Sequence, residues 1–231
     1  GWSVAAAGDV NADGVVDLIV GEPSADAQGK ANAGISYILF GKPSTVPVAD
    51  IDLSVFQSGP HSGLRILGDK VGDKIGSAVS AAGDVNGDGI DDVIVGAYGN
   101  DAGGIYAGAA YVVFGQAGGL GTVDLDDVAL GSGGFKIVGE SYDDRAGISV
   151  SAAGDVNGDG FDDLIVGAWL NDAGANNAGA GYVIFGRDFT NQVEFLGTTG
   201  DDTLTGTAGD EILIGGLGND TLSGSGGNDS L

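Results

Sequence analysis

Apolar residues fall along this chain in short clusters bounded by Gly, Asn and Asp. Between Ser77 and Val138 the clusters are Ser77–Ala82, Asp92–Gly96, Ala109–Phe114 and Phe135–Val138. They are rich in Val, Ile, Tyr and Phe, which pack well on a pleated surface, and the residues between them favour turns. No segment carries an apolar period of 3.6 over a helical length. The pattern predicts an all-β protein built from short strands.

The clusters recur. "AAAGDVNADGVVDLIVGEP" (Ala5–Pro23), "SAAGDVNGDGIDDVIVGAY" (Ser80–Tyr98) and "SAAGDVNGDGFDDLIVGAW" (Ser151–Trp169) are one segment written three times, with Asp9, Asp84 and Asp155 lying 75 and 71 residues apart. A second shared piece follows each: "NAGISYILFG", "YAGAAYVVFG" and "NAGAGYVIFG". A third comes later, at Leu64–Asp69, Phe135–Glu140 and Val193–Thr198. Four strands in a repeat of this length make one blade of a β-propeller. An irregular β-sandwich would supply the strands but not the repetition. The expected blades cover about 1–70, 71–141 and 142–196. Closed propellers have about 4–8 blades, and sheets avoid open edges. The missing blades are therefore expected N-terminal of Gly1, where the chain starts inside a repeat, or from another subunit.

From Gly197 the period shortens to nine: "GTTGDDTLT", "GTAGDEILI", "GGLGNDTLS" and "GSGGNDSL". Leu204, Leu213, Leu222 and Leu231 are expected to point inward from short strands, with carboxylates and carbonyls exposed on the turns between. This is the pattern of a parallel β-roll that binds calcium between stacked coils, and over 197–231 it places Asp202, Asp220 and Asp229 among the metal ligands. A flexible Gly/Asp linker would not hold four copies in register.

Charge narrows the function. There are 33 Asp and Glu against 8 Lys and Arg, a formal net charge of −25. Such a field repels nucleic acid and anionic membranes and draws cations. A hydrophobic content of 42% argues for a packed core rather than acidic disorder. Cysteine is absent, which excludes disulfides, thiolate metal sites and Cys nucleophiles. With no Met and no basic-then-apolar leader, the sequence reads as an internal piece of a longer protein. The longest uncharged run, Ala102–Val123, spans 22 residues, but seven glycines and a glutamine interrupt it, so no membrane insertion is expected.

The acidic loops carry the candidate chemistry. They share Asp, Asn, Asp and Gly at the first, third, fifth and sixth places with an EF-hand loop. An EF-hand also needs a bidentate Glu at the twelfth place, where this chain has Val20, Val95 and Val166 inside an apolar run. The last recurring acid stands at the ninth place instead. The expected ligands are the side chains of Asp9, Asn11, Asp13 and Asp17 with the Val15 carbonyl; of Asp84, Asn86, Asp88 and Asp92 with the Ile90 carbonyl; and of Asp155, Asn157, Asp159 and Asp163 with the Phe161 carbonyl. Oxygen-only, carboxylate-rich sets suit a hard cation, with Ca²⁺ favoured over Mg²⁺ by ligand number. Two carboxylates about 4 Å apart repel by ~4 kcal/mol at an effective dielectric near 20. Asp, Asn and Gly also favour metal-free turns, but three loops with one five-place pattern point to an ion.

These units resemble FG-GAP repeats, the blades of the integrin alpha-subunit propeller. Ile75-Gly76 and Ala146-Gly147 stand at the "FG" place; Gly21-Glu22-Pro23, Gly96-Ala97-Tyr98 and Gly167-Ala168-Trp169 stand at the "GAP" place. The resemblance implies a seven-bladed ring with calcium in the hairpin joining the first two strands of a blade. The tail is similar to the RTX, or haemolysin-type, nonapeptides of proteins exported by type I secretion. Together they imply a secreted or cell-surface location and an extracellular protein or carbohydrate partner, as in an adhesion module.

No catalytic constellation is visible. The only His, His61 in "SGPHSG", lies outside the repeated core and reads as a loop residue. There is no G-x-S-x-G elbow and no phosphate-binding loop. The acid pairs Asp91/Asp92 and Asp162/Asp163 could suggest glycoside hydrolysis, but Asp92 and Asp163 are assigned to calcium and their neighbours are expected to face solvent or tune loop charge. The expected role is a non-enzymatic calcium-binding interaction module; the alternative is the substrate-positioning part of a secreted hydrolase.

Overall fold

The computed structural model describes residues 1–43, 51–53, 56, 58, 62–119, 121–189, 193–196, 203–205, 212–214, 219, 221–223 and 225. The chain separates into two compact units, Gly1–Arg187 and Asp188–Leu231.

Among the described residues the first unit holds one sheet for each repeat, with the strands of each repeat antiparallel. Strands β1 (Ser3–Gly8), β2 (Asp17–Glu22), β3 (Ile35–Leu39) and β4 (Gly63–Leu67) follow one another in space as in sequence. The second sheet has β5 (Val79–Gly83), β6 (Asp92–Ala97), β7 (Ala109–Val113) and β9 (Gly134–Val138) in the same order. These match the expected strands to within two residues at each end. Between β7 and β9 the chain adds β8 (Val123–Asp124), which joins the first sheet in parallel with β4, and the one-turn helix α1 (Leu125–Ala129). Asp124 caps α1 by accepting from the Asp126 N–H at 3.1 Å, and Leu125 and Val128 are buried one turn apart. A helix of five residues is too short to leave a period in the sequence.

Among the described residues the third sheet has three strands, β10 (Ala146–Gly154), β11 (Asp163–Ala168) and β12 (Ala180–Ile184). The segment expected to be its fourth strand forms β13 (Val193–Leu196), which pairs in parallel with β15 (Ile212–Ile214) in the second unit. Its partnership follows the tail: Leu196 faces Ile214, two nonapeptides further on. In the same way β14 (Thr203–Thr205) pairs in parallel with β16 (Thr221–Ser223), with Leu204 opposite Leu222, both half-buried. This coil of two nonapeptides per turn is the start of the expected β-roll.

Position in the stack decides burial. Every residue of β6 and β7 is buried, because the second sheet lies between the first and the third. The flanking sheets bury one face each: Ile19 is buried while Leu18 is 49% exposed, and Leu164 and Val166 are buried while Ile165 is 43% exposed. A continuous core joins Ile19, Ile38, Leu64 and Ile66 of the first sheet to Val93, Val95, Tyr111 and Val113 of the second. Close backbone approach fixes the spacing. A Cβ on Gly21 would strike the Gly76 carbonyl, and one on Gly96 would strike that of Gly147. The glycines at the "GAP" place of one blade therefore meet those at the "FG" place of the next.

Buried polar ties recur inside the blades. The Asn100 side-chain amide donates to Asp73 at 2.8 Å and to the Tyr111 hydroxyl at 3.4 Å. In the third blade Asn171 does the same to Asp144 at 2.8 Å and Tyr182 at 3.2 Å. Burial raises the Asp73 carboxyl above its usual range despite the Asn100 bond. Asn100→Ala leaves that carboxylate short of a donor and is expected to cost about 1–3 kcal/mol, read from the urea unfolding midpoint.

Candidate metal centres

Each acidic loop joins the first two strands of its blade. It begins at the Gly that ends β1, β5 or β10 and ends at the Asp that opens β2, β6 or β11. A one-residue slip in the ladder occurs at that junction, between Ala6 and Gly8, Ala81 and Gly83, and Ala152 and Gly154. The sixth-place glycines, Gly14, Gly89 and Gly160, turn the chain at φ of 84, 84 and 94°. Glycine takes that left-handed conformation with no Cβ to clash.

The first-place carboxylates close the loops onto their own backbone. Asp84 accepts from the N–H groups of Gly87 at 2.7 Å, Asp88 at 3.0 Å and Gly89 at 2.9 Å. Asp155 accepts from Gly158 at 2.6 Å, Asp159 at 3.1 Å and Gly160 at 2.9 Å. Asp9 accepts from Asp13 at 3.0 Å and Gly14 at 2.8 Å. Donation from Gly160, ahead of that from Gly158 and Asp159, holds the exposed Asp155 carboxyl below its usual range.

The third and fifth places are linked identically throughout. The Asn86 amide donates to Asp88 Oδ2 at 3.0 Å, while Asn86 Oδ1 accepts from the Asp88 N–H at 2.9 Å. Asn11 with Asp13, and Asn157 with Asp159, repeat both bonds. Asp13, Asp88 and Asp159 also accept from Val15, Ile90 and Phe161, the residues whose carbonyls are expected as ligands.

The ninth-place acids Asp17, Asp92 and Asp163 are buried. Each accepts two backbone N–H groups. Val10 and Gly41 donate to Asp17 at 3.1 and 2.7 Å; Val85 and Gly115 donate to Asp92 at 3.0 and 2.9 Å. Val156 and Gly186 donate to Asp163 at 2.8 and 2.9 Å. The donors Gly41, Gly115 and Gly186 close the recurring "LFG", "VFG" and "IFG", a repeated glycine that could have flagged them in the sequence. Desolvation outweighs these bonds and pushes the Asp17 carboxyl up to about 6 and that of Asp92 up to about 7. The ion pairs of the described residues engage Asp69, Asp126 and Asp143 and no loop carboxylate.

Among the described residues no three acidic side chains gather into a cage spaced for a metal ion. The carboxylates are instead turned toward backbone donors. The donor set nonetheless fits a hard cation: it holds oxygen alone, and a divalent ion would offset the desolvation that raises the buried Asp17 and Asp92 carboxyls.

Two acids act otherwise than expected. Asp91 and Asp162 are half-buried, and each reaches the preceding blade. Asp91 Oδ2 accepts the Asp9 N–H at 2.7 Å and Asp162 Oδ2 accepts the Asp84 N–H at 2.9 Å. An acid bonded across a blade interface leaves no local signal, so the sequence alone could not place them. His61, Asp202, Asp220 and Asp229 lie outside the described residues.

The FG-GAP repeat model matches residues 1–39, 76–113 and 146–184, which hold the three acidic loops and the strands around them. The chain belongs to the FG-GAP repeat family. The tail, 196–231, matches the RTX calcium-binding nonapeptide repeat in four copies. FG-GAP and RTX repeats are structural modules that bind Ca²⁺, and Ca²⁺ is the ion of this chain.

Named relatives agree on the FG-GAP region. The chain is 32% identical over 180 residues to phosphatidylinositol-glycan-specific phospholipase D of Bos taurus, covering 78% of the chain and 20% of that protein. The Homo sapiens protein of that name is 31% identical over 186 residues, again covering 78% of the chain and 20% of the relative. Integrin alpha pat-2 of Caenorhabditis elegans is 34% identical over 177 residues, or 73% of this chain and 13% of the integrin. This FG-GAP chain thus spans about a fifth or less of the length of these relatives. Among its described residues no helix is long and apolar enough to cross a membrane.

Proposed function

We propose that this chain is a calcium-stabilised extracellular interaction module, in which ions stiffen the blade hairpins and hold the surface that meets a protein or carbohydrate ligand. The observation that carries the reading is the triple recurrence of one oxygen-only loop, each ending on a buried Asp that no ion pair between described residues engages. The ligand sets are those of the Asp9, Asp84 and Asp155 loops, with Asp202, Asp220 and Asp229 serving the tail. The net charge of −25 favours cations over nucleic acid or anionic membranes. Likeness to an integrin alpha chain supports a ligand-binding role and a surface or secreted location, and the RTX tail supports export by type I secretion. Further blades, from a longer chain or a second subunit, would complete a seven-bladed ring.

Asp88→Ala removes the fifth-place carboxylate of the middle loop at an exposed position. Calorimetric titration is expected to lose one calcium equivalent, and the melting temperature in millimolar calcium is expected to fall by roughly 5–10 °C, the equivalent of about 2.7 kcal/mol for one site. An unchanged stoichiometry would remove that loop from the calcium sites.

The phospholipase D relatives favour a second reading, a non-catalytic or substrate-positioning part of a secreted hydrolase. Hydrolysis by this chain that persists at saturating calcium, and is lost on replacing an acid outside the loops, would give the segment chemistry of its own. Its absence, with binding to a carbohydrate or protein array, supports the interaction module.

A further inference from the structure

The three loops are nearly the same in sequence but not in surroundings. In the first two, the residue after the first Asp, Val10 or Val85, is buried, and the third-place Asn11 or Asn86 is buried beside it. In the third, Val156 is 56% exposed and Asn157 is exposed as well. The cover comes from the following blade. Gln116 donates to the Val10 carbonyl at 3.0 Å and Gly118 to that of Asn11 at 2.9 Å. Arg187 donates to the Val85 carbonyl at 3.0 Å, and the Asp162 N–H to that of Asp84 at 3.1 Å.

At the centre of each contact is the eighth-place acid of the following blade. Asp91 takes the N–H of Asp9, and Asp162 takes that of Asp84. The approach is close enough that a Cβ on Gly8 would strike the Asp91 carboxylate, and one on Gly83 would strike that of Asp162. At Gly154 a Cβ would meet nothing within 4 Å. Val16 stands at the eighth place of the first blade, so the chain itself carries an apolar residue there.

We propose that Asp91 and Asp162 are positioning residues for calcium in the blade before their own. Each fixes the backbone of the first ligand of its neighbour's loop, so the Asp9 and Asp84 loops bind the ion more tightly than the Asp155 loop. The inference rests on calcium binding in the three hairpins. It adds that the site in one blade is completed by the next. Because linkage is reciprocal, calcium in one loop also tightens the seating of the following blade. A preorganised N–H to carboxylate bond supports this by holding Asp9 or Asp84 in place before the ion arrives, which lowers the ordering cost of binding.

The test is a calcium titration of the 231-residue chain, read at the backbone amide signals of Gly14, Gly89 and Gly160, one in each loop. The wild type is expected to show tighter binding at Gly14 and Gly89 than at Gly160. Asp91→Val, which copies the residue at position 16, is expected to weaken binding at Gly14 about tenfold, the scale of one charge-assisted hydrogen bond. Binding at Gly89 should stay within about twofold, although Asp91 adjoins Asp92 in sequence. Asp162→Val should weaken Gly89 alone, and it offers the same test at the edge of the stack should the central variant fail to fold. Asp91→Asn, which keeps an acceptor oxygen but loses the charge, is expected to retain most of the affinity at Gly14.

Weakening at Gly89 as large as at Gly14 in Asp91→Val would reduce the effect to lost charge and overturn the proposal. So would unchanged affinity at Gly14 in a wild type whose three glycines respond to calcium; that result sinks the coupling and leaves the calcium reading intact. No response at any of the three glycines in the wild type would sink both.

Discussion

Chelating calcium is expected to lower the melting temperature of this chain by on the order of 10 °C or more, the scale of one to a few occupied loops. An ion that binds only the folded state adds RT ln(1 + [L]/Kd), about 2.7 kcal/mol for each site at a hundredfold excess over Kd. For a chain of this size each kcal/mol moves the midpoint by roughly 2–4 °C. The buried carboxylates of Asp17, Asp92 and Asp163 are the reason a folded-state preference is expected. An unfolded loop returns each of them to water and keeps no fixed set of oxygens for the ion. Circular dichroism melts in millimolar calcium and in excess chelator read the difference directly. A midpoint that does not move would remove calcium from the stability of the blades.

The second large effect concerns the middle sheet. Ile94→Ala is expected to cost about 2–5 kcal/mol, the usual range for emptying a fully buried isoleucine site. Ile165→Ala, at the same place in the third repeat, is expected to cost about 1 kcal/mol or less, because 43% of that side chain already meets solvent. Urea unfolding at constant m separates the two. Equal losses at the two positions would mean that the second blade is not flanked on both faces. The pair is informative because the local sequences, "DDVIVGA" and "DDLIVGA", differ by one methylene.

Much of the fold was legible in the residues. The strands of the second repeat appear where the Val, Ile and Tyr clusters lie, because β-favouring residues and the turn residues that bound them act within a few positions of themselves. The turns are equally local, since Asp84 and Asn86 bond to N–H groups no more than five residues away. The nonapeptide tail announced its own coil, and the register of Thr203 with Thr221 keeps to two repeats. Val193–Leu196 was legible as a strand but not as to its partner. The tail's ladder claims it, while among the described residues the third sheet ends at β12.

The eighth-place acids are the clearest case of what local patterning cannot carry. Beside Asp92 and Asp163, Asp91 and Asp162 read as surplus loop charge; their bonds run to residues 82 and 78 positions away. The sequence by itself determined that the chain is a set of repeated β blades followed by a nine-residue roll, and that its loops offer oxygen to a hard cation, since these follow from backbone period and ligand chemistry. Only the tertiary structure decided which copy of each residue is covered. Neighbouring blades bury Ile94 and Val85 but leave Ile165 and Val156 in water, because burial depends on what packs against a surface and three near-identical segments carry no record of their order in the stack.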